Sequence, residues 1–189
     1  LDLHFVCTAS GVLLGSRLAG AGAGTLWSPP RIALPPADWQ GYLFWDPDGK
    51  GHQGKLLALD PTPAYAGASA WGENGDTAKT LDPRRPALVV ESAWGCGLGI
   101  VFVEYAERWG GARSFLQRHT PANLFLYASY VPAARAGKPL WAWLAPITGD
   151  APAAAARVDA LVQEGEALAA AFRPLSKPVP EAWGRPLPE

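Results

Sequence analysis

The chain has 189 residues, enough for one medium-sized domain with a substantial hydrophobic core. Its hydrophobic content of 49% and charged content of 17% exclude an intrinsically disordered chain, which has the opposite balance. The 21 glycines and 19 prolines follow no period, and they therefore indicate many turns and irregular connections.

The charges are balanced, with 16 basic and 17 acidic residues. No basic run exceeds Arg84-Arg85, so the sequence predicts no binding of nucleic acid. No apolar segment reaches the ~18 residues of a membrane span. Methionine is absent, including at position 1, so no targeting signal can be read. A cytoplasmic location is the working expectation, and no cofactor is expected.

Two pairs of strands are predicted in the first half. Leu3–Thr8 and Gly11–Ser16 form the first pair. Tyr42–Trp45 and Lys55–Leu59 form the second, because the polar, glycine-rich segment between them is typical of a hairpin loop. The prolines between residues 28 and 38 favour extended backbone, and residues 61–85 lack periodicity and are predicted to form a long loop.

The centre of the chain holds two apolar, β-branched runs, Leu88–Val90 and Leu98–Tyr105. Because both faces of each run are apolar, they are predicted to be central strands of a sheet. A Gly-Cys-Gly turn around Cys96 is expected between them. Ala106–His119 then has the apolar spacing of a helix, with Trp109, Phe115 and Leu116 on one face. Its Gly110-Gly111 pair weakens that prediction.

The last third contains two further predicted strands, Leu124–Val131 and Leu140–Pro146. A long amphipathic helix, Ala153–Phe172, follows them, and Asp150 is placed to cap it. The order of elements predicts an α+β domain: a mixed or antiparallel sheet of short strands, with the C-terminal helix on one face and many Gly/Pro loops. Residues 1–173 are predicted to form this domain, and 174–189 a proline-rich extended tail.

Cysteine usage suggests one candidate catalytic set. Cys7 and Cys96 are too few for a disulfide framework, and free buried thiols are expected. Cys96, His119 and Asn123 nevertheless follow the order of a nucleophile, a base and an orienting group. A structural cysteine and a helix-ending histidine are the simpler explanation of the same residues.

Two glutamates, Glu91 and Glu104, each close an apolar run. If both lay at the same end of the sheet, a pair of carboxylates there would suit acid–base or metal chemistry. The alternative is that each is solvated or paired with an arginine, and Arg108 and Arg113 are near in sequence.

An aromatic surface is the main candidate for binding. Trp141 and Trp143 share one strand face, and Tyr127 and Tyr130 lie in the preceding strand. An exposed face of this kind would bind a sugar ring, a peptide or another subunit, whereas a face under the long helix would be core. Trp183 in the tail is a further candidate for contact with a partner.

The segment Asp46-Pro-Asp-Gly-Lys-Gly51 resembles the start of a calcium loop only superficially. Lys50 and Leu57 occupy positions where oxygen ligands are needed, so a hairpin turn is predicted and no metal site.

No motif identifies a family or a reaction. We therefore expect a non-catalytic protein-binding or assembly module that uses loops, the aromatic face and the tail, with a protein as the partner. The alternative is a small hydrolase or transferase that uses Cys96 with His119, or Glu91 with Glu104. That alternative requires either set of residues to be brought together in the fold.

Overall fold

A computed structural model describes most of the chain. The described residues are 1–18, 26–27, 29, 32–34, 39–55, 80–92, 96–110, 114–120, 123–128, 131–132, 139–148 and 151–172. In several of the short strands the backbone alone is described. The helix and sheet content agrees with the predicted α+β class.

The described chain contains twelve strands, one π-helical turn and one α-helix. In chain order they are β1 Asp2–Cys7, β2 Val12–Arg17, β3 Leu26–Trp27, β4 Ile32–Leu34, β5 Trp39–Trp45, β6 Gly51–Lys55, β7 Ala87–Ser92, β8 Cys96–Phe102, the π-turn Tyr105–Trp109, β9 Ser114–Thr120, β10 Asn123–Ala128, β11 Val131–Pro132, β12 Leu140–Thr148 and α1 Ala151–Ala171.

Seven strands form one open sheet, in the order β1-β2-β12-β8-β7-β5-β6. All six neighbouring pairs are antiparallel. Three pairs of strands that are consecutive in the chain, β1–β2, β5–β6 and β7–β8, are also neighbours in the sheet, as antiparallel pairing permits. A three-stranded sheet has the order β4-β10-β9, and β3 pairs with β11.

Both faces of the large sheet are buried at its centre, because strand residues alternate between faces. On one face, α1 covers an apolar cluster that includes Val89, Val101 and Trp143. On the opposite face, the π-turn and β4 pack on a second cluster that includes Leu88 and Ile100. The predicted helix on one face is therefore confirmed, and the other face is covered as well.

The long helix was predicted within two residues of its observed limits. Its buried side chains include Val158, Leu161 and Val162, and Leu168 and Phe172 pack beside them. This is the stripe that the sequence predicted, and it faces the sheet. In the described part of the chain, no helix is long and apolar enough to cross a membrane.

The predicted helix Ala106–His119 is wrong. A single π-turn ends at Gly110, whose φ of 62° is left-handed, and the chain resumes as β9. The turn begins at Glu104, which is also left-handed, with a φ of 52°. Glycine adopts this conformation easily, so Gly110 ends the turn where the apolar spacing had indicated a helix.

Two smaller expectations also need correction. The second strand of the β5–β6 hairpin is Gly51–Lys55 rather than Lys55–Leu59, so the connecting loop is shorter than predicted. Cys96 is the first residue of β8 rather than the middle of a turn. The predicted tail and most of the predicted long loop lie outside the described residues.

A glycine in α1 allows the helix to approach the sheet closely. A Cβ atom on Gly165 would lie 2.9 Å from Cβ of Trp143 and 3.2 Å from Cγ2 of Val103. Such contacts force either the helix or the strand to shift.

We therefore expect Gly165→Ala to destabilise the protein by about 1–3 kcal/mol through overpacking. This would occur even though alanine favours a helix over glycine by about 1 kcal/mol. Urea unfolding measures the change, and Glu166→Ala, at an exposed position of the same helix, is the control. An increase in stability for Gly165→Ala would contradict the close packing.

Candidate functional site

A cavity of about 300 Å³ lies on the face of the large sheet opposite α1, at the β1 side. Its floor consists of two rows of side chains that run across β1, β2 and β12. The pairing register aligns these rows as Leu3–Ser16–Leu140 and Phe5–Leu14–Ala142. Because alternate residues share a face, all six side chains point the same way.

The rest of the wall comes from β4 and the π-turn. Ile32 and Ala33 of β4 line the cavity, together with Pro29 and Trp109. No Asp, Glu, Lys or Arg is among the lining residues that the structure describes. The cavity is therefore a mostly apolar slot between the large sheet and the elements packed on it.

Trp109 borders this slot, but its indole N–H is buried. The residue is 5% exposed, and its Nε1 has almost no accessible surface and no hydrogen-bond partner within the described structure. The ring meets Phe102 edge to face, with the two centroids 4.9 Å apart. An N–H group buried without an acceptor costs free energy, so this position of the indole must be stabilised by its packing.

The π-turn that carries Trp109 is fixed at both ends. The hydroxyl of Tyr105 accepts a hydrogen bond from the backbone N–H of Leu81 at 3.1 Å. Burial raises the pKa of Tyr105, so its phenol stays protonated. Glu104 pairs with Arg108 across the turn. These contacts fix the backbone of the turn that carries Trp109.

The strand β1 has a free edge in the described part of the chain. The N–H of Thr8 donates to the carbonyl of Gly11 at 2.9 Å, which closes the β1–β2 hairpin with a hydrogen-bonded pair. Hydrogen-bonded and non-hydrogen-bonded pairs alternate along an antiparallel ladder. The backbone N–H and C=O groups of Leu3, Phe5 and Cys7 therefore point away from β2.

The side chains of this edge are also apolar and accessible. Leu3 is 49% exposed and Phe5 is 66% exposed, and both border the cavity. The opposite edge of the sheet, β6, contains only Gly, His, Gln and Lys. Of the two edges, β1 alone combines free backbone groups with an apolar surface.

Two contacts fix β1 to the rest of the sheet. The guanidinium of Arg17 donates to the carboxylate of Asp2 at 2.6 and 3.0 Å, and this hydrogen bonding lowers the pKa of Asp2. On the helix side of the strand, the ring of His4 lies 5.3 Å from that of Phe172 and 5.9 Å from that of Trp141. Asp2 and His4 are alternate residues of the strand, so both contacts position β1 from its helix side.

The structure does not bring Glu91 and Glu104 together. Glu91 lies opposite Gly97 in the β7–β8 ladder, whereas Glu104 follows the other end of β8. Gly97 and Phe102, near the two ends of β8, are five residues apart in extended strand, which corresponds to roughly 17 Å, and Glu104 lies beyond Phe102. Oε1 of Glu91 is buried without a hydrogen-bond partner in the described structure, and Glu104 is paired with Arg108. Arg108, the partner of Glu104, is itself half-buried, and this burial lowers the pKa of its guanidinium.

The proposed Cys–His–Asn set is divided between two sheets. Cys96 belongs to the large sheet, whereas His119 and Asn123 belong to β9 and β10 of the three-stranded sheet. The Sγ of Cys96 lies 3.2 Å from the hydroxyl of Ser92. The side chains of His119 and Asn123 are outside the described structure.

The aromatic face is buried. Trp141 is 4% exposed and Trp143 is fully buried, and both belong to the cluster under α1. They are therefore part of the core, which was the alternative interpretation of this pattern. The side chain of Tyr127, and Tyr130 and Trp183 entirely, lie outside the described residues.

The Asp46 loop is a turn, as predicted. One carboxylate oxygen of Asp46 accepts the backbone N–H groups of Asp48 and Lys50 at 3.1 and 2.9 Å. The other lies 2.6 Å from Nε2 of His52. No group of three metal-binding side chains occurs within the described ranges.

The basic pair Arg84-Arg85 is occupied by ion pairs. Arg84 contacts the buried carboxylate of Asp82 at 3.1 Å, and Arg85 contacts Asp159 of α1 at 2.7 Å. These acidic partners raise the pKa of both arginines. The pairs connect the segment before β7 to its surroundings and leave neither arginine unpaired.

Sequence reasoning did not identify the residues that border the cavity. The alternation of Leu3 and Phe5 was visible, but the sequence does not say which strand lies at an edge of the sheet. Trp109 was assigned to one face of a predicted helix, and no pattern in the sequence indicated a role for Ser16.

Comparison with known proteins identifies no family. No protein-family model and no curated protein matches the chain. A solved structure, the α-galactosidase of Thermus thermophilus in complex with p-nitrophenyl α-D-galactopyranoside, aligns with a TM-score of 0.36 and 15% identity. The alignment covers 78% of this chain and 29% of that one. So slight a likeness carries no argument about fold or function.

Both cysteines are free and exposed, which confirms the expectation of free thiols and corrects the expectation of burial. We therefore expect Cys7 and Cys96 to be alkylated in the native protein at rates close to those in denaturant. Peptide mass spectrometry after timed alkylation separates the two sites. Labelling that appears only after denaturation would contradict their exposure.

The Asp46–His52 hydrogen bond predicts a pH-dependent stability. This bond lowers the pKa of Asp46 below its ordinary value of 3.8. A group of this kind stabilises the fold above its unfolded pKa, and the contribution is lost as pH falls through the folded pKa. We expect Asp46→Asn to lower the urea midpoint above pH 3.8 and to match the wild type in stronger acid.

Asp48→Asn is the matched control, since Asp48 lies in the same turn and is exposed. Its urea midpoint should follow that of the wild type throughout. If the urea midpoint of Asp46→Asn stays equally far below that of the wild type in strong acid, the loss of stability is not caused by the charge of Asp46.

Proposed function

We propose that this chain is a non-catalytic module that binds a protein, either another chain or a second copy, along the free edge of β1. The outward N–H and C=O groups of Leu3, Phe5 and Cys7 support the proposal most directly. An extended segment that pairs with them adds an eighth strand to the sheet. Strand addition of this kind is a common mode of protein recognition.

The exposed side chains of β1 add affinity to this pairing. Leu3 and Phe5 would be covered by alternate side chains of the added strand on the same face. Removal of that apolar surface from water contributes about 25 cal/mol per Å². A sheet edge that is both apolar and unpaired tends to associate, and most proteins protect such edges.

The buried position of Trp141 and Trp143 moves the proposed binding surface away from the aromatic face and onto β1. The proline-rich tail stays in the proposal as a second contact. The last described residue before it, Phe172, lies with its ring against His4 of β1. We expect removal of residues 174–189 to weaken association without lowering the thermal stability of the domain.

The alternative, a small hydrolase or transferase, has less support. Glu91 and Glu104 lie at opposite ends of β8, and Cys96 is in a different sheet from His119 and Asn123. The side chains described around Cys96 supply a serine hydroxyl and no base.

Proline at position 5 tests the edge directly. Phe5→Pro removes an outward N–H but none of the hydrogen bonds to β2, and edge strands tolerate proline at such positions. We expect it to weaken association by about tenfold or more while the urea midpoint changes little. Sedimentation velocity measures self-association, and selection from a phage-displayed peptide library measures binding of extended segments.

Two variants control for other effects. Phe5→Ser keeps the N–H and loses only the apolar ring, so it should weaken binding less than Phe5→Pro. His4→Pro removes an N–H that faces β2, and it should destabilise the fold itself. Equal association by the wild type and Phe5→Pro, or no association in either assay, would overturn the proposal.

A further inference from the structure

We infer that the partner of the β1 edge is a second copy of this chain, paired antiparallel across a two-fold axis at Phe5. The inference rests on the proposed function, and it names the partner and the register of that strand addition. The two large sheets become one continuous sheet. Because the axis is perpendicular to the sheet, α1 of both copies lies on the same face.

The strand β1 lacks the features by which edge strands normally avoid pairing. Protected edges are very short, or they carry lysine, proline or a β-bulge. β1 contains neither lysine nor proline, and its six residues pair with β2 without a register shift. Its acidic residue, Asp2, is paired with Arg17. The other edge of the sheet, β6, ends in Lys55.

A row of exposed apolar side chains runs along this edge. Among the described residues, the large apolar side chains that stand exposed are those of Leu1, Leu3 and Phe5. Cys7, which is also exposed, continues the row on the face of the sheet opposite α1. A partner that removes this row from water therefore has to present apolar side chains on the same face.

The backbone restricts how two copies of β1 can pair. The outward N–H and C=O groups belong to Leu3, Phe5 and Cys7, and an antiparallel ladder sets such residues opposite one another. When Phe5 lies opposite Phe5 of the second copy, Leu3 lies opposite Cys7. Each of the three residues then donates one hydrogen bond and accepts one, so all of these outward groups are satisfied.

The side chains of β1 are complementary to themselves in this register. On the face opposite α1, Phe5 lies against Phe5 and Leu3 against Cys7, so apolar groups meet apolar groups. On the helix face, Asp2 lies opposite Thr8, which is polar and exposed. Because Asp2 already has a cationic partner within its own copy, no like charges meet across the axis.

Registers that are shifted by two residues fit less well. One shift sets His4 opposite His4 of the second copy and Asp2 opposite Val6, so that a carboxylate faces an apolar side chain. The opposite shift sets Leu3 opposite Ala9, which lies beyond the end of β1. A shift by one residue sets outward backbone groups against inward ones and forms no ladder. The unshifted register therefore uses the whole strand without a mismatch.

Pairs of cysteines test the partner and the register in the full chain. Cys96→Ser is included in every variant, so that Cys7 is the remaining natural thiol. Hydrogen-bonded residues of an antiparallel ladder have Cα atoms about 5.5 Å apart. A disulfide spans about 4.4–6.8 Å between Cα atoms, so Leu3→Cys can be bridged to Cys7 of the second copy. Mild oxidation followed by non-reducing electrophoresis measures the rate of crosslinking.

We expect Leu3→Cys to crosslink at least about tenfold faster than the chain with Cys7 alone, in which Cys7 lies opposite Leu3. Leu3→Cys combined with Cys7→Ser is the matched control, and it should crosslink no faster than the chain with Cys7 alone. Phe5→Cys combined with Cys7→Ser should crosslink rapidly, because position 5 meets itself on the axis. Peptide mass spectrometry identifies the residues that are joined.

Sedimentation velocity measures the same association without a crosslink. We expect the wild type to form a dimer as its concentration rises, and Phe5→Pro to need about tenfold more protein for the same dimer fraction. The urea midpoint of each cysteine variant shows whether it is folded. If Leu3→Cys does not fold, Phe5→Cys with Cys7→Ser decides the question.

The inference is overturned if the wild type is monomeric at every concentration and Leu3→Cys crosslinks no faster than its control. If displayed peptides still bind the wild type but not Phe5→Pro, the proposed function survives with a different partner. If no peptide binds either, both fail. A crosslink between cysteines placed at positions 3 and 5, with none between 3 and 7, would overturn the register.

Discussion

The packing of α1 across the large sheet at Trp143 is the contact on which the rest of the structure depends. The side chain is fully buried, and glycines stand on two sides of it. A Cβ atom on Gly11 would lie 2.8 Å from the indole, and one on Gly165 would lie 2.9 Å from Cβ of Trp143. The helix and the β1–β2 hairpin can therefore both approach β12. This contact covers one face of the sheet and positions β1 as its edge.

Burial decreases from the centre of the sheet to its edges, and this gradient locates the functional surfaces. Residues 87–90 of β7 and 100–102 of β8 are almost completely excluded from water. At β1, Leu3 and Phe5 keep about half or more of their surface exposed. The cavity lies where the large sheet, β4 and the π-turn meet beside this edge. The open backbone groups of β1 therefore lie next to the cavity.

Part of the fold was predictable because local patterns agree with the tertiary structure. The central strands were recognised from apolar residues on both faces, and α1 from its stripe and its flanking residues. The separation of Glu91 from Glu104 was also deducible, since two strands joined by a short turn are antiparallel and their C-terminal ends lie apart. The segment after Glu104 was mispredicted because the spacing of Trp109, Phe115 and Leu116 outweighed the Gly110-Gly111 pair.

The sequence by itself determined the class of fold, the central strands, the long helix and the turn at Asp46. These depend on periodicity, capping and turn residues, all of which act over a few neighbouring positions. The tertiary structure alone decided that Trp141 and Trp143 are core, that Cys96 belongs to a different sheet from His119 and Asn123, and that β1 is an edge. The order of strands in a sheet is set by long-range packing, so no local pattern could show that Leu3, Phe5, Ser16 and Trp109 border one cavity.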